Sequence, residues 1–121
     1  PFRLAVMIPP VGPPACQYAG RWGSETYQAL KAFLKSKGYP ACVGDEGGFA
    51  PTLKANSEAI ELIVAAIEKA GYKPGADICI AIDPASSGFH EGGLYNLRTE
   101  KRKATSAEMI EMYGQLSLIH I

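Results

Sequence analysis

Five consecutive apolar residues, from Ile78 to Ile82, stand between Asp77 and Asp83 and constrain the fold more than any other segment. An apolar run of strand length without a polar interruption predicts a β-strand that is buried on both faces, as in a parallel sheet. Because the sheet of such a protein is covered by helices, the run favours an α/β fold.

The segments before this run predict one strand and two helices. A short apolar stretch over residues 4–8 is ended by prolines and predicts a strand. Apolar residues at helical spacing predict a first helix over residues 17–37, with Gly38 after its end. A second apolar stripe predicts a helix that is capped by Asn56 or Ser57 and ends at Gly71.

The segments after the run predict a hairpin and a third helix. Gly92 and Gly93 stand between Phe89-His90 and Leu94-Tyr95, which is a signal for a two-residue hairpin turn. Thr105 and Glu108 have the spacing of a capping box, and the helix they open extends to about Leu116. Two helices therefore separate the first two predicted strands, which is unusual for a plain β-α-β repeat.

Composition excludes several functional classes. The chain has 121 residues, suiting one domain, and its 12 basic residues balance 12 acidic ones, which disfavours nucleic acid and anionic membranes as partners. No apolar run approaches the ~18 residues of a membrane span. Three cysteines without a C-x-x-C pair favour a reducing compartment. One basic cluster is interpreted as a solvated loop: Arg98, Lys101, Arg102 and Lys103.

Residues 43–51 form an acidic, glycine-rich loop with the sequence Val-Gly-Asp-Glu-Gly-Gly-Phe-Ala-Pro. Because glycine leaves room around a neighbouring side chain, the carboxylate of Glu46 could approach a substrate closely. The alternative, from composition alone, is an acidic surface turn with Asp45 and glycine in turn positions.

Asp83 is the second candidate, since it stands at the C-terminal end of the apolar run. In an α/β barrel this end of a strand carries the active site. A carboxylate there requires a cation or hydrogen-bond donors, and Mg²⁺ takes hard oxygen ligands of this kind. The alternative is an aspartate that caps the following turn through its own backbone.

These two motifs resemble the enolase family. The loop of residues 43–51 is similar to the loop whose glutamate acts as general acid, which assigns that role to Glu46. Residues 80–87 resemble the strand whose aspartate binds catalytic magnesium, which assigns a metal-ligand role to Asp83, although Pro84 departs from the family pattern. The resemblance covers nearly the whole chain. It implies a partial TIM-like, enolase-type barrel containing only the first strands and helices.

The sequence departs from the family at two places. Ala5 stands where the family has an active-site glutamate, and alanine can neither hydrogen-bond nor titrate. Residues 117–121 lack the acid-bearing strand that the family has after the third helix. Residues 1–116 are therefore assigned to the partial barrel domain, and residues 117–121 to a tail that departs from the family pattern. His120 in this tail is not expected to be a ligand, and His90 is expected at the surface.

The resemblance implies a fragment of a cytoplasmic, magnesium-dependent lyase that converts 2-phosphoglycerate to phosphoenolpyruvate in glycolysis. The full-length protein would be a homodimer. A barrel of this type needs roughly 250 residues, so the isolated chain is expected to be truncated, inactive and prone to aggregate. Ala5 motivates a second hypothesis, a non-catalytic enolase-like binding or scaffolding protein. A third, independent of the resemblance, is a small α/β binding domain with an acidic loop.

Overall fold

The computed structural model describes residues 3–7, 15–40, 42–44 and 47–118, and for residues 3–7, 15–17 and 118 it describes the backbone alone. The elements are, in chain order, strand β1 (Arg3–Met7), helix α1 (Ala15–Ser36), helix α2 (Asn56–Lys69), strands β2 (Cys79–Asp83), β3 (His90–Glu91), β4 (Leu94–Leu97) and β5 (Arg102–Ala104), and helix α3 (Ser106–Leu118).

The pairing of the two long strands corrects the expectation of a parallel sheet. β1 and β2 are antiparallel, with Met7 opposite Cys79 and Arg3 opposite Asp83. β2 therefore begins beside the end of β1. Two helices lie between these strands, and the second can reverse the direction of the chain again after the first. The prediction of burial on both faces was also wrong: Ile78 and Ile80 are buried, but Cys79 and Ala81 on the opposite face are only half-buried. Apolar character contains no information about strand direction or about what covers each face.

The hairpin is present as predicted, and it carries a third strand that was not expected. Gly92 and Gly93 have φ angles of 59° and 79°, which the two-residue turn requires and glycine adopts without strain. β5 adds to β4 in antiparallel register. The basic cluster is exposed, as predicted, but Arg102 and Lys103 lie in this strand and not in a loop.

The main core lies between α2, β2 and α3. It consists of one stripe from α2, two residues at β2 and one residue of α3: Ile60, Ile63, Ile67, Ile78, Ile80 and Leu116. A second cluster joins the hairpin to α3 through Phe89, Leu97, Ala104 and Met109. The two clusters fix the hairpin and β2 on the same helical support, and so position the segment that follows Asp83.

Of the two predicted helix caps, the one of α3 is confirmed and the one of α2 is wrong. The Thr105 amide donates to Glu108 Oε2 (2.7 Å) and the Glu108 amide donates to Thr105 Oγ1 (3.3 Å), which confirms the capping box of α3. α2 instead has Ala55 at its N-cap without a side-chain cap, so the prediction that Asn56 or Ser57 caps it was wrong. The Asn56 amide donates to Glu100 Oε1, so a carboxylate distant in sequence satisfies this helix terminus.

The capping box predicts a measurable contribution to stability. Replacing Thr105 by alanine should lower the free energy of unfolding by about 0.5–2 kcal/mol, because the Glu108 amide loses its acceptor. Urea denaturation measures the change. Thr52→Ala, at an exposed threonine outside any helix, is the matched control. Equal midpoints for both variants would contradict the assignment.

Candidate active site

The acidic loop closes on itself through backbone hydrogen bonds. The Gly44 amide donates to the Gly48 carbonyl (2.8 Å), and the Gly47 amide donates back to the Gly44 carbonyl (2.9 Å). Val43 and Phe49 form an antiparallel bridge below this turn. Asp45 and the candidate acid Glu46 lie between Gly44 and Gly47 and outside the described residues. The loop is thus a closed turn whose two ends are fixed on either side of the acid pair.

Helix α1 contacts this loop through one aromatic residue. The Tyr27 hydroxyl donates to the carbonyl of Gly47 at 3.0 Å. Its ring stacks on Phe49, with centroids 4.5 Å apart and an interplanar angle of 22°. Tyr27 therefore contacts the loop on the residue immediately after Glu46 and on one further along.

The base of the loop is held by Glu58, in the first turn of α2. Glu58 Oε1 accepts from the Tyr39 hydroxyl (2.5 Å), and Oε2 accepts from the Lys54 amide (2.8 Å). Tyr39 precedes the loop and Lys54 follows it, so this one carboxylate joins both ends. These hydrogen bonds, with the one from Tyr39 first, lower the pKa of Glu58 from its ordinary value because they favour the charged form.

The lowered pKa predicts how stability responds to acid. A carboxylate with a depressed folded-state pKa contributes stability above its ordinary value of 4.5, and this contribution is lost as pH falls through the lower folded value. Glu58→Gln should therefore reduce the urea midpoint at neutral pH and flatten its decline below pH ~4.5. The exposed Glu61 on the same helix provides the control, Glu61→Gln. Parallel pH profiles for wild type and Glu58→Gln would contradict the role given to Glu58.

Asp83 ends β2 and is exposed. Its Oδ1 accepts from the Ala85 amide at 3.1 Å, which is the backbone-capping contact that the sequence offered as the alternative to metal binding. Ala85 has a left-handed conformation, with φ 46° and ψ 45°, just after Pro84. The capping contact uses one carboxylate oxygen. It holds the side chain at the strand end without excluding a ligand role for the other oxygen.

A third carboxylate connects the segments that follow the two candidate acids. Glu100 Oε1 accepts from the side-chain amide of Asn56 at 2.6 Å and from the Asn56 backbone amide at 3.2 Å. Asn56 begins the helix after the acidic loop, and Glu100 follows the hairpin after Asp83. No local pattern indicated this contact, because 44 residues separate its partners.

Comparison with known proteins decides the family. Residues 4–119 match the family described as "Enolase, C-terminal TIM barrel domain". The chain belongs to the enolase family. It is 63% identical over 108 residues to Enolase 2 of Pseudomonas syringae pv. syringae, covering 89% of this chain and 25% of that protein. It is 57% identical over 108 residues to Enolase 1 of Methylococcus capsulatus, covering 88% and 26%. The chain thus spans about a quarter of the length of these curated relatives.

The enolase assignment confirms the predicted fold class, a partial α/β barrel. Within this partial barrel the first two strands, β1 and β2, pair in antiparallel direction. Among the described residues, no three side chains of histidine, cysteine, aspartate or glutamate come together as a metal site. The Asp83 carboxylate is a hard oxygen donor, the type of ligand that Mg²⁺ takes. Within the same ranges, no helix is long and apolar enough to cross a bilayer.

The other sequence predictions have separate outcomes. His90 is exposed, as expected, and the centroids of its ring and of the Tyr95 ring are 4.7 Å apart. α3 continues to Leu118, while His120 lies outside the described residues, so the boundary after residue 116 stays a prediction. Ala5 lies opposite Ala81 in the backbone register of β1 and β2. Its effect on catalysis also stays a prediction.

Proposed function

We propose that this chain is part of an enolase that dehydrates 2-phosphoglycerate to phosphoenolpyruvate. The observation that carries the proposal is the closed glycine turn on either side of Asp45 and Glu46, in a chain of the enolase family. A turn of this kind can bring a carboxyl group close to a bound substrate because its glycines have no side chains to interfere.

Glu46 is the general acid in this proposal. A base removes the proton from the carbon next to the substrate carboxylate. Glu46 then gives its proton to the departing hydroxyl, so that the carbon–oxygen bond breaks and water leaves as the double bond forms. A positioned general acid typically contributes 10²–10⁴-fold to the rate. The contribution of Glu46 therefore depends on how well the loop holds it against the substrate.

Asp83 is a magnesium ligand in this proposal. Bound Mg²⁺ would stabilise the negative charge that develops on the substrate carboxylate. The turn that binds one oxygen of Asp83 to the Ala85 amide orients the carboxylate at the strand end. Mg²⁺ demands near-octahedral coordination, so one carboxylate makes a weak site and the remaining ligands are supplied from outside these residues.

The 121 residues are inactive on their own in this account. The base, the other metal-binding acids and the phosphate-binding groups are assigned to parts of the protein outside this chain. Because one general acid supplies 10²–10⁴-fold while enzymes reach at least ~10⁶-fold, Glu46 alone falls short. The complete protein is proposed to be a cytoplasmic homodimer that works in glycolysis.

Ala5 favours a second candidate, a non-catalytic enolase-like binding or scaffolding protein. The resemblance places an active-site glutamate at this position, and a methyl group can neither donate nor accept a proton. If that glutamate is indispensable, the protein would retain substrate affinity without turnover.

An assay of the complete protein encoded by the gene separates the two candidates. Purified protein is incubated with 2-phosphoglycerate with and without Mg²⁺, and phosphoenolpyruvate is measured. The enolase proposal expects rapid, magnesium-dependent formation of phosphoenolpyruvate. Binding of 2-phosphoglycerate without turnover would contradict it and support the second candidate.

A further inference from the structure

Backbone hydrogen bonds close the acidic loop, but its glycines provide no side chains to pack it against the rest of the chain. It contains three glycines, and Gly47 has a φ of 80°, in a region where side chains other than glycine are strained. A Cβ added at Gly47 would meet no atom within 4 Å, so conformation and not crowding favours glycine there. A loop with so little side-chain packing requires a contact with a rigid element to hold a catalytic group in place.

Helix α1 is such a rigid element. Leu34 on α1 is 1% exposed, and Trp22 and Leu30 on the same helix pack against the main core. The Tyr27 side chain projects from this fixed helix to the loop, where it makes both a hydrogen bond to Gly47 and a stacking contact with Phe49. The two contacts lie on opposite ends of the Gly47–Phe49 segment, so they restrain its rotation as well as its distance from the helix.

We propose that Tyr27 is a positioning residue for Glu46, holding the acidic loop against α1 so that the acid faces the substrate. The inference rests on the proposed function of Glu46. Tyr27 itself does not touch the reacting atoms. Its hydroxyl fixes the carbonyl one peptide after the acid, and its ring fixes the returning arm of the loop through Phe49.

Hydrogen exchange in the complete protein tests whether Tyr27 holds the acidic loop. Tyr27→Phe removes the hydroxyl and keeps the ring that stacks on Phe49. Loss of one net hydrogen bond should speed exchange of the Gly44 and Gly47 amides by about 2- to 12-fold. Tyr18→Phe removes the hydroxyl of a half-exposed tyrosine on the same helix and should leave exchange of these amides unchanged. Unchanged exchange in Tyr27→Phe would overturn the proposal.

Steady-state kinetics on the same variants test whether this contact positions Glu46 for catalysis. Tyr27→Phe should lower kcat for dehydration about 10-fold and change KM by less than about two-fold, because a displaced acid weakens the chemical step more than substrate binding. Faster loop exchange with wild-type kcat would overturn the positioning role. If the wild-type protein shows no dehydration, the proposed function fails, and the hydrogen-exchange result alone then decides whether Tyr27 holds the loop.

Discussion

Replacing Glu46 by glutamine in the complete protein should lower kcat for the dehydration of 2-phosphoglycerate by about 10²- to 10⁴-fold. Glutamine keeps the size of the side chain but cannot give a proton to the departing hydroxyl. KM should change little, because the acid is assigned an interaction that develops in the transition state. Phosphoenolpyruvate formation under saturating substrate and Mg²⁺ measures the effect.

The matched control for this variant is Glu61→Gln. Glu61 is an exposed carboxylate on α2, the helix that follows the acidic loop, and it lies in the part of the chain that the structure describes. This control makes the same chemical change away from the loop and should keep wild-type kcat. A fall of less than about threefold in Glu46→Gln would contradict the role of general acid, which requires at least ~10²-fold.

Replacing Asp83 by asparagine should weaken Mg²⁺ binding to the complete protein by at least about 100-fold. Loss of a partner in the outer shell of a metal site typically costs 10–100-fold in affinity, so loss of a direct, charged ligand should cost more. Asparagine can still accept the hydrogen bond from the Ala85 amide, so the turn after β2 is preserved. Isothermal titration with Mg²⁺ and substrate measures the affinity.

Asp77→Asn is the control for the metal prediction. Asp77 precedes the same strand and accepts a hydrogen bond from the Lys73 amide at 2.8 Å, so it is also a turn-capping aspartate. Its replacement should leave Mg²⁺ affinity unchanged. Equal affinities for wild type and Asp83→Asn would mean that Asp83 serves only the turn, which is the alternative that the sequence left open.

The sequence predicted those parts of the fold that depend on local chemistry. The capping box at Thr105 and Glu108 and the hairpin at Gly92 and Gly93 are specified by short patterns whose partners lie within a few residues. The helices follow from apolar periodicity in the same way, and α1 begins only two residues before its predicted start.

The parts that depend on distant partners were not predicted. Strand direction in β1 and β2 follows from the path of two helices, and β5 pairs with β4 although its first two residues are basic and exposed. The start of α2 is satisfied by Glu100, far along the chain. Single-sequence patterns contain no record of such contacts, because propensity describes a segment and not its partner.

In the candidate site, too, local motifs were informative and distant contacts were not. The two motifs indicated Glu46 and Asp83 through their resemblance to the enolases, but they gave no role to the residues that support the loop. Tyr27 and Glu58 became recognisable only when the structure placed them on Gly47 and on both ends of the loop. Their hydrogen bonds form between segments that the chain brings together by folding.

In the proposed reaction this chain supplies the acid of the dehydration, and the base lies elsewhere in the complete protein. Solvent-deuterium exchange in Glu46→Gln separates these two roles, because the base acts before the acid. The carbon next to the substrate carboxylate should continue to exchange its hydrogen with solvent while phosphoenolpyruvate formation falls by about 10²-fold or more. Parallel loss of exchange and dehydration would contradict this division of roles, since Glu46 would then be required for proton removal.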